Sequence, residues 1–226
     1  MTDAVLFDMD GVFLVGAHTA PDVYRAAARD ALTELGVQDP PRDAAETLGA
    51  VRYDPAMDPA CDRLGVDRDD WWAAREHHAS RRTNHRVETG ERAVYDDAQA
   101  VTELPADCAV ALVTNNRQAT ADFVADRLFG NRMDTVVGRA PTIDAYRRRK
   151  PEPDLIEAAM SEIDISGGLY VGDRETDLVA AERAGLRGVF LEREHNDAAA
   201  LETSPDHVVG SLSELPELVA SLRTDE

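Results

Sequence analysis

Lysine is almost absent from this chain: one of its 24 basic residues, Lys150, is a lysine, and the other 23 are arginine. Cysteine is nearly absent too. Cys61 and Cys108 lie far apart with no CxxC spacing, so neither a disulfide framework nor a zinc site is indicated. No apolar run approaches the ~20 residues that a membrane span requires. The first residues, MTDAVLFDMDG, lack the basic start of a secretory signal, and Asp8 and Asp10 interrupt their apolar stretch. The expected location is therefore cytoplasmic. Internal repeats and low-complexity tracts are missing as well.

Positive charge as a whole is in deficit. Acids outnumber bases 44 to 24, a formal net charge of −20, and the pI is near 4.6. Such a surface repels nucleic acid and anionic lipid, so neither nucleic acid nor a membrane is expected as a partner. A composition rich in Asp, Glu, Ala and Arg with a single lysine fits adaptation to concentrated salt, where counterions screen the self-repulsion. A halophilic protein should melt at a higher temperature in molar KCl than in dilute buffer. A melting temperature that does not respond to KCl would remove that reading. The rest is ordinary for a folded chain: 226 residues, 43% hydrophobic and 30% charged, enough to bury a full core without staples.

The hydrophobic pattern alternates between strand and helix periods. Ala4 to Phe7 is a short apolar run that ends in Asp8, and similar runs span Cys108 to Val113, Thr135 to Val137, Leu169 to Val171 and Val189 to Leu191. Helical spacing appears from Gln118 to Phe129, at Ile156, Ala159, Met160 and Ile163, and after Asp177 at Leu178, Ala181 and Ala184. Strands alternating with helices imply right-handed βαβ units, hence an α/β fold with a Rossmann-like, doubly wound parallel sheet. Ligands bind beyond the carboxyl ends of such strands, where Asp8, Thr114 and Asp173 all fall. The stretch from Gly16 to Val87 departs from the rhythm. It reads as helices at Asp22–Leu35, Ala44–Leu48 and Asp69–Arg82, with turns at Pro40–Pro41 and Asp54–Pro59. The expected organisation is an α/β core from 1–15 and 88–226, with a small helical cap, 16–87, inserted after the first strand. In the tail, Val208–Val209 reads as a last strand and Ser211 as the cap of a final helix through Leu222.

Four clusters carry chemistry. Asp8-Met9-Asp10-Gly11 places two acids at a strand end, with Gly11 permitting a bend that brings both to one cavity. A plain surface turn also accounts for such a pair. Thr114-Asn115 offers a hydroxyl and backbone N–H groups where a helix begins, a place to hold phosphate, although a simple helix cap needs the same residues. Lys150-Pro151 sets the one ammonium beside a turn that aims it at the strand ends, unless the lysine is a chance surface survivor. Asp173 and Asp177, in Gly172-Asp173-Arg174-Glu175-Thr176-Asp177, are spaced i, i+4 and suit a Mg²⁺ site of carboxylates and waters. Capping by Asp173 is the competing explanation.

In this order, DxDG, T, K and GDxxxD, each at a strand end, the chain resembles the haloacid dehalogenase-like hydrolase superfamily. The likeness is to its phosphatase branch with a helical cap at the first insertion point, the phosphoglycolate phosphatase-like proteins. RRKPEPDLIEAAM and YVGDRETDLVAAERAG extend it across the core. The resemblance implies a Mg²⁺-dependent phosphomonoester hydrolase of a small phosphorylated metabolite, with phosphoglycolate and sugar phosphates as substrate classes. It makes Asp8 the nucleophile that forms an aspartyl-phosphate and Asp10 the general acid and base. Thr114 and the Asn115 backbone N–H would hold phosphoryl oxygens, and Lys150 would offset the charge of Asp8 and the phosphoryl group. Mg²⁺ would take the Asp8 carboxylate, the Asp10 carbonyl and Asp173, with Asp177 ordering its waters.

Within the superfamily, a second acid at Asp10 argues against dehalogenation. The assignment of the one lysine to the core argues against Schiff-base phosphonate cleavage. A sugar phosphomutase shares all four motifs and differs in isomerising its substrate without free phosphate. A phospho-receiver module would be about half as long, with its acceptor on a later strand. A catalytically idle partner-binding protein would have no need of the complete motif set. One helix of the insertion adds a separate candidate. Trp71-Trp72 begin it, and Arg75, His78 and Arg82 recur at i, i+3, i+7. This pattern makes either a basic patch for an anionic substrate or a solvated face above tryptophans packed in the cap.

Overall fold

The computed structural model describes residues 4–16 and 18–224. They divide into two compact units. One comprises Met1–His18, Arg92–Arg139 and Arg148–Glu226; the other comprises Thr19–Glu91 and Ala140–Arg147. The sequence boundaries at 15/16 and 87/88 fall within a few residues of the first division. The segment 140–147, assigned from sequence to the core, belongs instead to the helical unit.

The first unit is built on a six-stranded parallel sheet in the order β3-β2-β1-β4-β5-β6. Its strands are β1 (Ala4–Phe7), β2 (Ala109–Arg117), β3 (Thr135–Arg139), β4 (Leu169–Gly172), β5 (Arg187–Leu191) and β6 (His207–Val209). All four residues of β1, Ala-Val-Leu-Phe, are buried, as expected of a strand covered on both faces. On one face Leu6, Ala111, Val113 and Tyr170 pack with Ile156, Ala159, Ala180 and Ala181. Phe13 packs at a tilt against Phe7 and edge-on against Phe129, with ring centroids 5.4 and 4.8 Å apart. Crossover helices α5 (Gln118–Phe129), α7 (Asp154–Glu162) and α8 (Glu175–Arg183) connect the strands, and α9 (Leu215–Thr224), the last described element, follows a turn in which Ser211 accepts from the Ser213 N–H.

Register positions the site. Phe7 pairs with Leu112 of β2 on one side and Val171 of β4 on the other. The next residue of each strand, Asp8, Val113 and Gly172, is therefore level. The chain turns outward from β1 in both directions, so this is the switch point where an α/β sheet opens a crevice.

The helical unit contains α1 (Pro21–Glu34), α2 (Arg42–Leu48), α3 (Met57–Leu64), α4 (Arg68–Glu88) and α6 (Ile143–Arg147). Asp67 caps α4 by accepting from the Asp69 and Asp70 N–H groups at 2.8 and 3.0 Å. Trp71, Trp72, Leu48, Met57, Leu32 and Ile143 form its core. One expectation changes here, and one helix appears that the sequence did not suggest. The proline-containing stretch read as a turn starts a helix at Met57, because Pro59 sits in its first turn, where no N–H is required. The five-residue α6 is too short to show a period, and it folds because Ile143 and Tyr146 complete the apolar cluster. Among the described residues no helix is long and apolar enough to cross a membrane.

Candidate active site

Asp8 leaves the end of β1 with its N–H donated to the Val171 carbonyl at 2.9 Å. The ammonium of Lys150 lies 2.9 Å from Asp8 Oδ1, 2.7 Å from Asp177 Oδ1 and 2.5 Å from the Tyr170 hydroxyl. Tyr170 in turn donates to the Val113 carbonyl at 2.7 Å. Three N–H donors of one ammonium thus meet three close acceptors, and Lys150 is 3% exposed. The peptide bond between Lys150 and Pro151 is cis. The lysine is held from behind by Asn115. The Asn115 Oδ1 accepts from the Lys150 N–H at 2.8 Å, and its Nδ2 donates to the Lys150 carbonyl at 3.1 Å.

Asp173 follows Gly172 at the end of β4. Asp8, Asp173 and Asp177 each place a carboxylate oxygen within 4.8 Å of the others. Close approach is possible because two positions lack side chains. A Cβ on Gly11, whose φ is +84°, would lie 2.1 Å from Asp173 Oδ2, and one on Gly172 would lie 2.3 Å from the Asp177 Cβ. The capping alternative for Asp173 fails. Arg174 occupies the N-cap of α8, and Asp177 accepts its N–H at 3.1 Å.

Electrostatically the cluster is short of positive charge. Burial, with Asp177 and Asp10 nearby, raises Asp8 to about 6 in spite of Lys150. Burial, with Asp177 and Asp8 adding to it, raises Asp173 to about 8. Burial disfavours the charged form of Lys150, but the facing carboxylates of Asp177 and Asp8 outweigh it and hold the ammonium well above its usual value. Asp173 Oδ1 is buried and has no hydrogen-bond partner. Three hard oxygen donors around one unsatisfied carboxylate oxygen suit a divalent cation of the Mg²⁺ class.

The other predicted residues lie on the same unit. Asp10 Oδ2 accepts from Asn116 Nδ2 at 2.8 Å, and an Arg92 guanidinium nitrogen lies 2.8 Å from Asp10 Oδ1. Thr114 is buried, and its Oγ1 accepts from the Asn116 N–H at 3.2 Å. Sequence reasoning overlooked Arg92, Asn116, Tyr170, His195 and Asn196. Tyr170 alone carried a signal, as the one polar atom in an otherwise apolar strand. His195 Nε2 lies 2.7 Å from Asp173 Oδ2, and its pKa is lowered by burial and by the nearby charges of Arg174 and Arg193.

The cap candidates separate from one another. Arg75 is fully buried, so it does not belong to a surface patch. Its guanidinium pairs with Glu76 at 2.5 Å, donates to the Ala50 carbonyl at 2.6 Å and stacks 4.7 Å from the Trp72 ring. His78 and Arg82 turn toward α1, with His78 Nε2 2.7 Å from Glu34 and Arg82 2.5 Å from Asp30. The i, i+3, i+7 spacing missed the distinction because α4 packs on two sides and acids of α1 neutralise the rest. Arg75→Ala should cost about 3–5 kcal/mol by removing the cation that pairs with the buried Glu76 carboxylate. An Arg75→Met/Glu76→Leu double variant should regain most of that in thermal melts. An Arg75→Ala variant as stable as wild type would contradict this.

The comparisons agree with the geometry. The family model of the haloacid dehalogenase-like hydrolases matches residues 2–185. A phosphoglycolate phosphatase of Cereibacter sphaeroides (strain ATCC 17025 / ATH 2.4.3) is 29% identical over 227 residues, covering 96% of this chain and 98% of that protein. One of Vibrio parahaemolyticus is 28% identical, covering 96% and 95%. Among solved structures, CbbY from Rhodobacter sphaeroides in complex with phosphate superposes with a TM-score of 0.62 at 22% identity, over 95% of this chain and 96% of that one. With a family model spanning most of its length and a matching fold, the chain belongs to the haloacid dehalogenase-like hydrolases.

Proposed function

We propose that this protein is a Mg²⁺-dependent phosphomonoester hydrolase of a small phosphorylated metabolite, working through an aspartyl-phosphate on Asp8. The observation that carries the reading is the buried cluster in which Lys150 bridges Asp8 and Asp177 while Asp173 keeps an unsatisfied oxygen. Asp8, Asp173 and the Asp10 carbonyl would hold Mg²⁺, which when bound supplies positive charge against the phosphoryl oxygens.

The chain's own residues do the rest. The Asp8 carboxylate attacks phosphorus, the bond to the leaving oxygen breaks, and Asp10 gives that oxygen its proton. Asp10 then takes a proton from the water that attacks the phosphorus of the aspartyl-phosphate, so inorganic phosphate leaves and Asp8 is regenerated. Lys150 lowers the repulsion between Asp8 and the incoming phosphoryl group. The Thr114 hydroxyl and the Asn115 N–H offer donors to the phosphoryl oxygens. The names of the relatives support a phosphorylated two-carbon acid as substrate, and the family resemblance adds sugar phosphates to the panel. The test is a phosphate-release screen over such metabolites, in molar KCl with Mg²⁺. Release from none of them would reject hydrolysis, and an isomerised product without free phosphate would identify a mutase.

Metal dependence should be linked to pH. Without metal, folded Asp8 and Asp173 hold protons up to about 6 and about 8, whereas in the unfolded chain they ionise near 3.8. The folded state therefore binds more protons across this window, and metal-free stability falls as pH rises through it. Mg²⁺ binds the ionised form, so its stabilising effect grows in the same direction. Melting curves should show a Mg²⁺-induced rise that is small at pH 5 and largest above pH 8. A rise independent of pH would contradict the assignment of these carboxyls as ligands.

A further inference from the structure

The loop after β5, Glu192 to Asp197, carries no motif, yet it closes on the metal-binding acid of the neighbouring strand. His195 Nε2 lies 2.7 Å from Asp173 Oδ2. Asn196 Nδ2 donates to the Asp173 carbonyl at 2.8 Å and to the Leu191 carbonyl at 3.1 Å, while its Oδ1 accepts the Arg193 N–H at 2.7 Å. The loop is itself anchored. Arg193 forms a two-nitrogen pair with Asp97 at 2.8 and 2.9 Å, donates to the Val12 carbonyl at 3.0 Å and stacks 4.0 Å from the Tyr95 ring. The Tyr95 hydroxyl lies 3.4 Å from His195 Nδ1, so a neutral ring protonated at Nε2 satisfies both of its contacts.

We infer that His195, held by Tyr95 and the Arg193–Asp97 anchor, is a positioning residue that orients the Asp173 carboxylate for the divalent cation. This rests on the metal site proposed above. A carboxylate at a strand end can rotate, and each rotation offers the cation a different oxygen. Here Oδ2 is wedged between His195 and the space left by Gly11, so Oδ1, the buried oxygen without a hydrogen-bond partner, is the one presented. Asn196 fixes the backbone of the same residue. Hydrogen-bond partners of ligating carboxylates commonly set metal affinity in this way.

The test is titration of the full-length protein with Mn²⁺ in molar KCl, reading free Mn²⁺ by its electron paramagnetic resonance signal. His195→Ala should weaken Mn²⁺ binding by about 10–100-fold. His195→Gln, which keeps an N–H donor of similar reach, should recover much of the loss. If His195→Ala does not fold, His195→Asn, whose amide is too short to reach, takes its place. The Mg²⁺ concentration giving half-maximal turnover should rise in step with the Mn²⁺ dissociation constant. An alanine variant binding Mn²⁺ as tightly as wild type overturns the inference, as does a glutamine variant no better than alanine. Wild-type protein that binds no Mn²⁺ overturns the metal site itself, and the inference with it.

Discussion

Asp8→Asn is expected to lower turnover by roughly 10⁴-fold or more while the protein remains folded. The amide matches the carboxyl in size, so the Asp8 backbone bond to the Val171 carbonyl and the packing at the end of β1 are kept. What is lost is the anionic oxygen that the proposed reaction directs at phosphorus. Stability responds in the opposite direction. Burial and the carboxylates of Asp177 and Asp10 raise Asp8, and only Lys150 opposes them, so ionised Asp8 is an unfavourable charge in the metal-free protein. A neutral amide removes that charge, and at pH 8 without Mg²⁺ the variant should melt no lower than wild type. Phosphate release and circular dichroism melts separate the two effects. Persisting activity would reject Asp8 as the nucleophile, and a large drop in melting temperature would contradict the account of its charge.

Legibility in the sequence depended on how local each cause was. The strands were readable because a parallel sheet buried on both faces needs continuous apolar runs, and β1, β4 and β5 have them. Strand β2 ran on past Val113 to Arg117, since polar residues there are held by site contacts rather than by the apolar run. The convergence of Asp8 and Asp173 was legible because parallel register brings neighbouring strand ends level, a rule of the topology, whereas Thr114, read as a strand end, lies inside β2. The same kind of reasoning failed on α4. Period alone put Arg75, His78 and Arg82 on one face, but a pairing partner one residue away, Glu76, drew Arg75 into the cap core. Arg92 and His195 left no trace, because each reaches its acid from a loop whose path only tertiary contacts decide. The five residues of α6 were invisible for a similar reason: its stability comes from Ile143 filling a cluster built by a segment far away in sequence.

Substituting Lys150 should be the most damaging change in the cluster after loss of the Asp8 carboxylate, and arginine should not rescue it. Lys150→Met leaves the Asp8 and Asp177 carboxylates buried without their cation, a loss of about 3–5 kcal/mol on the scale of broken buried pairs. Lys150→Arg keeps the charge but not the shape. The ammonium is a compact centre whose three donors meet Asp8, Asp177 and the Tyr170 hydroxyl within 2.9 Å, whereas a planar guanidinium aims its donors as a fork and needs more room. The space is closed, with Lys150 3% exposed, so the larger group must displace Tyr170 or Asp177. This gives a physical reason for a chain of 23 arginines to hold its one lysine here. The damage in Lys150→Met should grow with pH. Lys150 is the group that lowers Asp8, so without it Asp8 stays protonated to higher pH, and forcing it to ionise costs more. Asp177→Asn added to Lys150→Met should restore part of the melting temperature but none of the turnover, because the amide relieves one stranded charge without replacing the cation that faces the phosphoryl group. Turnover by Lys150→Arg equal to that of wild type would sink the argument.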